Sequence, residues 1–232
     1  MKSPTGNSVA ATIAGGGAAF AALVLAAVPV LDLLLTRLFW SGLPESGTLT
    51  EHALVALAFL AAAAASASGR HLSLGSVREG EGPWLRLAAS LRSGFTTAVD
   101  TSLLIASLSL LLIGFEPGDT TFGIPTAVFA APMALGLVLM LVLDLGGDRT
   151  RFRAASIGGM LAGVFLSAGA LLNAMTAFGL YPEALASVAG AASAVAGALI
   201  WPLVIVLVVL AFFGLPLYTV LSGVALLLYL AS

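Results

Sequence analysis

The feature that most constrains this chain is a succession of apolar runs, each close to the thickness of a lipid bilayer. A helix that crosses the roughly 30 Å hydrocarbon layer needs about 20 apolar residues at about 1.5 Å of rise each. Runs of that kind, separated by segments holding charges, Gly or Pro, occupy residues 9–39, 49–68, 93–115 and 123–145. A fifth, 154–179, is closed by Tyr181 and Pro182. The stretch 184–213 exceeds one membrane thickness. It reads as an interfacial Ala/Gly-rich piece, 184–198, ahead of a core from Trp201 to Phe213, in preference to one tilted helix. Gly214 and Pro216 then end the run, because proline lacks a donor and clashes with the preceding turn, and residues 217–231 form a last, short apolar segment. The fold class expected is an all-α polytopic membrane protein, a bundle of about 6–7 transmembrane helices.

Charged residues make up 9% of the chain, against about 25% in ordinary soluble domains, and the mean hydropathy is +1.11. A soluble enzyme is excluded on that ground. The net charge of −2 leaves no basic face for nucleic acid. Cysteine is missing, so disulfides, thiolate metal sites and cysteine nucleophiles do not arise. The two histidines, His52 and His71, are too few for a typical three-ligand catalytic zinc site unless carboxylates join them. No His-Glu-x-x-His, phosphate-cradling glycine loop or Gly-x-Ser-x-Gly occurs, so neither an enzyme nor a cofactor is expected. The first run is too long for a secretory signal and has no convincing cleavage site, so it is expected to remain as a span.

Lysine and arginine near span ends stay in the cytoplasm, which turns a tally of loop charge into an orientation. Lys2, then Arg70, Arg78, Arg86 and Arg92, then Arg149, Arg151 and Arg153 all fall on one side if the spans alternate. Arg37 alone falls on the other. The amino terminus is therefore read as cytoplasmic.

A charge inside lipid costs roughly 2.5 to 3.5 kcal/mol on insertion scales, so each intramembrane ionisable residue is a candidate site. Asp32 lies near the end of the first span, close to Thr36 and Arg37, where snorkelling and local pairing explain it better than an ion pathway. Asp100 sits eight residues into the third span among Thr96, Thr97, Thr101 and Ser102, which are expected to supply hydrogen bonds in an interhelical contact. Glu51 and His52 open the second span, where a helix cap and a subunit contact weigh equally. Arg70 and His71 close it at the cytoplasmic surface. Asn173 reads as an interhelical bridge, the methionines as filler, and Gly158, Gly159, Gly163, Gly169, Gly190 and Gly197 as packing faces.

Several of these residues occur in a telling order. Arg37-Leu-Phe, Gly42-Leu-Pro44, Glu51-His52, an Ala-rich span and Gly69-Arg70-His71-Leu72 follow one another. This series resembles the amino-terminal half of the small membrane subunit of tripartite ATP-independent periplasmic (TRAP) transporters. Thr121-Phe122-Gly123-Ile124-Pro125 at the head of the fourth span, with Pro132-Met133 inside it, is similar to the family's Ile-Pro element and its proline-containing fourth helix. The tail from Leu210 through Gly214, Pro216 and Gly223 is similar to the start of the large TRAP subunit, which some members carry fused to the small one.

The resemblance implies a small-subunit domain over 1–148, a connecting helix within 149–182 and, over 183–232, a truncated start of a large-subunit-like domain. It implies a lipid-embedded scaffold in the bacterial inner membrane, serving import of organic acids or related solutes. The expected partners are a large permease subunit or domain and a periplasmic solute-binding protein. Sodium is implied for the whole transporter and not for this chain, because the family's ion and substrate sites belong to later helices of the large subunit. No binding residue is carried over. Arg37, Glu51, His52, Arg70, His71 and Asp100 are the candidates for anchoring or structural roles. Two other readings compete: a self-contained oligomeric channel or exporter with Asp32 or Asp100 lining a pore, and an intramembrane lipid enzyme with Asp100 or His71 as base.

Overall fold

The structure is a computed structural model that describes residues 5–68, 74, 82–116, 118–146 and 153–231. Helices account for nearly all of it: α1 (Thr5–Phe39), α2 (Ser46–Ser68), α3 (Pro83–Ile113), α4 (Thr126–Gly146), α5 (Arg153–Leu166), α6 (Ala168–Ala177), α7 (Glu183–Phe212) and α8 (Leu217–Ala231). A two-residue hairpin, β1 (Thr120–Thr121) with β2 (Ile124–Pro125), precedes α4. Among the described residues five helices are long and apolar enough to cross a membrane, and the bent pair α5–α6 makes a sixth span if counted as one. Large apolar side chains such as Phe20, Leu161, Trp201 and Ile205 are exposed along these helices. Only lipid makes such a surface tolerable over so many helices.

Two compact units form. The first comprises Met1–Gly69 and Leu110–Leu143, the second Arg70–Ser109 and Asp144–Ser232. In the first, α1 buries Ala10, Ala14, Ala21 and Val28, and α2 buries Ala53, Ala56, Leu60 and Ala63. These positions recur at three, four or seven residues, so each set forms one stripe of mostly small side chains that lets two helices approach closely. Gly136 of α4 continues the logic, since a Cβ there would stand 2.8 Å from backbone atoms of Phe59 on α2.

The second unit has its core at Ala196, Leu207, Leu210, Ala211, Leu215, Val220 and Leu227 of α7 and α8, with Phe95 of α3 packed against it. Helices α3 and α5 run parallel. Ser93 meets Ser156, and further along both chains Ser102 meets Gly163. Alternating spans demand that order, because one crossing, α4, lies between them in sequence.

Helix ends follow local chemistry. Pro83 takes the first position of α3, where its missing N–H costs nothing. Gly179 (φ 75°) and Gly214 (φ 84°) follow the last turns of α6 and α7. Leu180 N–H returns to the Met175 carbonyl and Leu215 N–H to that of Leu210, while Gly179 and Gly214 bond Thr176 and Ala211, which is a Schellman cap in both cases.

Two expectations are corrected. The stretch 184–213 is one unbroken helix, α7, with no separate interfacial piece. Its alanines and glycines carry no break of their own, and Pro202 is tolerated within it. Conversely, the fifth run is not straight: α5 and α6 meet at Ser167 with a bend of 52°. The carbonyl of Gly163 there receives the Ser167 N–H, the Ser167 hydroxyl and the Ser102 hydroxyl together. Serine hydroxyls that compete for a carbonyl one turn back bend helices.

Candidate functional site

Two polar regions stand out, one in each unit. In the first, the link between α1 and α2 is held by acidic side chains. Asp32 Oδ1 accepts the backbone N–H of Leu43 at 2.6 Å, and Thr36 donates its hydroxyl to the Asp32 carbonyl at 2.8 Å. Gly42 lies against that carboxylate, 2.8 Å from where a Cβ would stand, so a side chain at the head of the Gly42-Leu43-Pro44 element would have to displace the Asp32 carboxylate. Asp32 therefore pairs with loop backbone rather than with Arg37. Arg37 is exposed and makes no ion pair among the described residues.

Glu45, which the sequence marked only as an acidic residue of a loop, ties this link to the hairpin. Its Oε2 accepts the N–H of Phe122 at 2.8 Å. Phe122 (φ 53°) and Gly123 (φ 74°) both take left-handed conformations, as the central pair of a type I′ turn must. The only signal for that turn was Gly123 in the Thr121–Pro125 element, and the acid that satisfies it lies 77 residues earlier.

A cleft of about 560 Å³ opens between the ends of α1 and α2, lined by Asp32, Thr36, Arg37, Thr50 and Glu51 among others. Arg37 and Glu51 are thus brought to one surface. His52 is not part of it: its ring stacks on Phe129 of α4, centroids 5.6 Å apart and 19° from parallel, with Nε2 buried and unpaired. Arg70 and His71 lie outside the described residues.

In the second unit α3 presents a ladder of hydroxyls. Ser93 and Ser156 share a hydrogen bond of 2.8 Å, Thr97 donates to the carbonyls of Ser93 (2.9 Å), Gly94 and Ser156 (3.1 Å), and Ser102 donates to Gly163 at 3.0 Å. Gly159 and Gly163 of α5 make the approach possible. A Cβ at Gly159 would collide with the Gly94 carbonyl and Thr97, and one at Gly163 with the Ala98 carbonyl and Thr101. Gly158, Gly169, Gly190 and Gly197 meet nothing, so only two of the six glycines read as packing faces pack.

Asp100 is fully buried. The expected partners on its own helix do not serve it, because Thr97 and Ser102 are spent on carbonyls and Thr101 has no partner. Its bond comes instead from Tyr218 of α8, whose hydroxyl donates to Asp100 Oδ2 at 3.3 Å. Asn173 is exposed and bridges nothing; its carbonyl accepts the Thr176 hydroxyl on the same helix. Among the described residues no cluster of histidines and acids is fit to hold a metal ion.

Long apolar helices and small-residue seams define a polytopic helical membrane protein. Residues 25–145 match the family of tripartite ATP-independent periplasmic transporters, DctQ component. That is more than half of the chain, and the chain belongs to this family. No curated protein and no solved structure matches it.

Proposed function

We propose that the chain is the fixed, lipid-embedded frame of a TRAP-type secondary transporter, against which a separate transport domain moves. The observation that carries this reading is the family match over α2, α3, the hairpin and most of α1 and α4. The transporter imports organic acids or related solutes across the bacterial inner membrane, using an ion gradient and a periplasmic binding protein. Residues 1–148 form the small-subunit domain. Residues 149–182 contain the connecting helix, here the bent pair α5–α6, and 183–232 begin a large-subunit-like domain. Support for that division comes from the Gly214 cap and Pro216 between α7 and α8, which realise the Gly-x-Pro element of the tail. The arginine tally places the amino terminus in the cytoplasm. Trp40, 94% exposed at the end of α1, then anchors the outer interface.

Arg37 and Glu51, exposed on one cleft, serve as anchoring points for the permease, while His52 and Asp100 act within the chain. Arg70 and His71 remain proposed anchors at the cytoplasmic end of the second span. Co-expression with a large TRAP permease, followed by purification on a tag carried by this chain, is expected to recover both proteins. Proteoliposomes holding the chain alone are expected to take up no organic acid. Ion or solute flux through the purified chain by itself overturns the scaffold reading and favours the channel.

A further inference from the structure

The cleft between the ends of α1 and α2 holds opposite charges that leave each other alone. Arg37 of α1 and Glu51 of α2 are both exposed on it and Asp32 lines it as well, yet among the described residues no ion pair joins the arginine to either acid. Asp32 spends Oδ1 on the Leu43 N–H, and its Oδ2 bonds nothing among the described residues. Thr36 and Thr50 give their protons to carbonyls of their own helices, so their hydroxyls have only lone pairs left to offer. The Ser46 hydroxyl makes no bond among the described residues and keeps its donor. One cleft thus combines a donor set, the guanidinium and the Ser46 hydroxyl, with an acceptor set of two carboxylates and two hydroxyl oxygens.

The volume of about 560 Å³ falls within the roughly 300 to 1,000 Å³ of small-molecule sites. Because two spanning helices meet the surface there, one ending at Phe39 and the other starting at Ser46, the cleft opens at headgroup level. Leu33 and Pro29, one and two turns before Arg37 on the same face of α1, carry its lining toward the apolar interior. A free anion suits Arg37 and Ser46 but meets two carboxylates. A free cation suits the acids but meets Arg37, and it leaves the apolar lining unused. A zwitterion satisfies both sets at once. A phosphodiester takes two parallel bonds from a guanidinium, and a primary ammonium gives its protons to carboxylate and hydroxyl oxygens. A quaternary ammonium has no proton to give and is recognised by aromatic faces, whereas no aromatic ring lines this cleft among the described residues.

We propose that the cleft binds the headgroup of an ethanolamine phospholipid, with Arg37 and Ser46 on the phosphate, Glu51 and Asp32 on the ammonium, and the acyl chains running along α1 past Leu33 and Pro29. The site goes beyond the anchoring role of Arg37 and Glu51, and it needs only helices that cross a bilayer, not a permease. Free phosphoethanolamine carries the same two charges without the chains.

The test is thermal unfolding of the purified full chain in a nonionic detergent, followed by circular dichroism. Phosphatidylethanolamine, phosphatidylcholine and phosphatidylglycerol with the same acyl chains are added in turn. The melting temperature is expected to rise saturably with phosphatidylethanolamine, as linkage requires of a ligand that binds the folded state. Phosphatidylcholine is expected to need about tenfold more to reach half of its effect, the equivalent of one lost charge-assisted bond. Glu51→Gln is expected to narrow the difference between these two lipids, because it removes a charge that reads the ammonium. Arg37→Gln is expected to weaken both alike, because both carry the phosphate. Neither side chain bonds within the chain among the described residues, so both variants are expected to unfold as the parent does when no lipid is added. The comparison of lipids on the unchanged chain carries the test even if a variant fails to fold. Equal effects of the ethanolamine and choline lipids overturn the proposal, and so does a preference that Glu51→Gln leaves unchanged. Tighter binding of phosphatidylglycerol overturns it by assigning a plain anion site. An equal rise with free phosphoethanolamine overturns the lipid and assigns a soluble zwitterion. Co-purification with a permease is a separate readout, so a missing lipid preference leaves the anchoring reading standing, and failed co-purification leaves the lipid site standing.

Discussion

Helices α1 and α2 of the first unit meet through alanines such as Ala14, Ala21, Ala53 and Ala63, whereas α3 and α5 of the second meet through glycines and hydroxyls, Gly159 and Gly163 against Thr97 and Ser102. Lipid is as apolar as a leucine side chain, so burial alone pulls neither pair together. The alanine seam relies on close van der Waals contact. The hydroxyl seam adds directional bonds that fix the register of one helix on the other. Asp32 of the first unit and Asp100 of the second sit in different settings. Asp32 is half-buried and satisfied by a loop N–H eleven residues away, while Asp100 is fully buried and depends on a tyrosine 118 residues away. The first acid shapes a turn and the second joins two helices.

The largest effect that breaks this comparison is expected from Gly159→Ala. Its Cβ meets the Gly94 carbonyl, which cannot yield without moving α3, and overpacking of this kind is expected to cost about 3 kcal/mol. Gly158→Ala, one residue earlier in open space, is expected to be neutral or slightly stabilising, since alanine is the better helix former. Denaturant titration of both variants in micelles compares them directly. Next comes Gly136→Ala in the first unit, expected to cost about 2 kcal/mol against Phe59. If Gly136→Ala proves silent while Gly159→Ala does not, only the second unit depends on backbone approach.

Asp32→Ala strips Leu43 N–H of its partner and is expected to cost roughly 1 to 2 kcal/mol, with Asp32→Asn restoring most of it. A full loss in the asparagine variant shows that the charge, not the acceptor, holds the loop. The smallest effect is reserved for the hydroxyl ladder: a double-mutant cycle of Ser93→Ala and Ser156→Ala is expected to return a coupling of about 0.6 kcal/mol. A coupling near zero reduces the ladder to close packing and removes the distinction between the two seams.

Much of the fold was legible. Span after span falls where the apolar runs lie, and Gly214 with Pro216 separates α7 from α8 as read. The bend at Ser167 escaped notice because one of the two hydroxyls competing for the Gly163 carbonyl, that of Ser102, comes from another helix. The role of Glu45 was hidden for a similar reason, as its partner Phe122 is distant in sequence and unusual only in its backbone angle. Asp100 was singled out for its depth in a span, and its nearest hydroxyls proved to be committed elsewhere. Side chains one turn apart on a helix face their own carbonyls as readily as one another.

Hydropathy by itself determined that this backbone lives in lipid and is helical there, because length and apolarity are local quantities and a bilayer admits few other ways to satisfy peptide groups. Which face of each helix meets a neighbour was decided only in three dimensions. In a chain that is apolar all round, lipid and partner helix look alike to every residue, so no periodic signal marks the contact. Gly159 packs and Gly158 does not for that reason, and Tyr218 reaches Asp100 only because the helices between them return the chain to the same place.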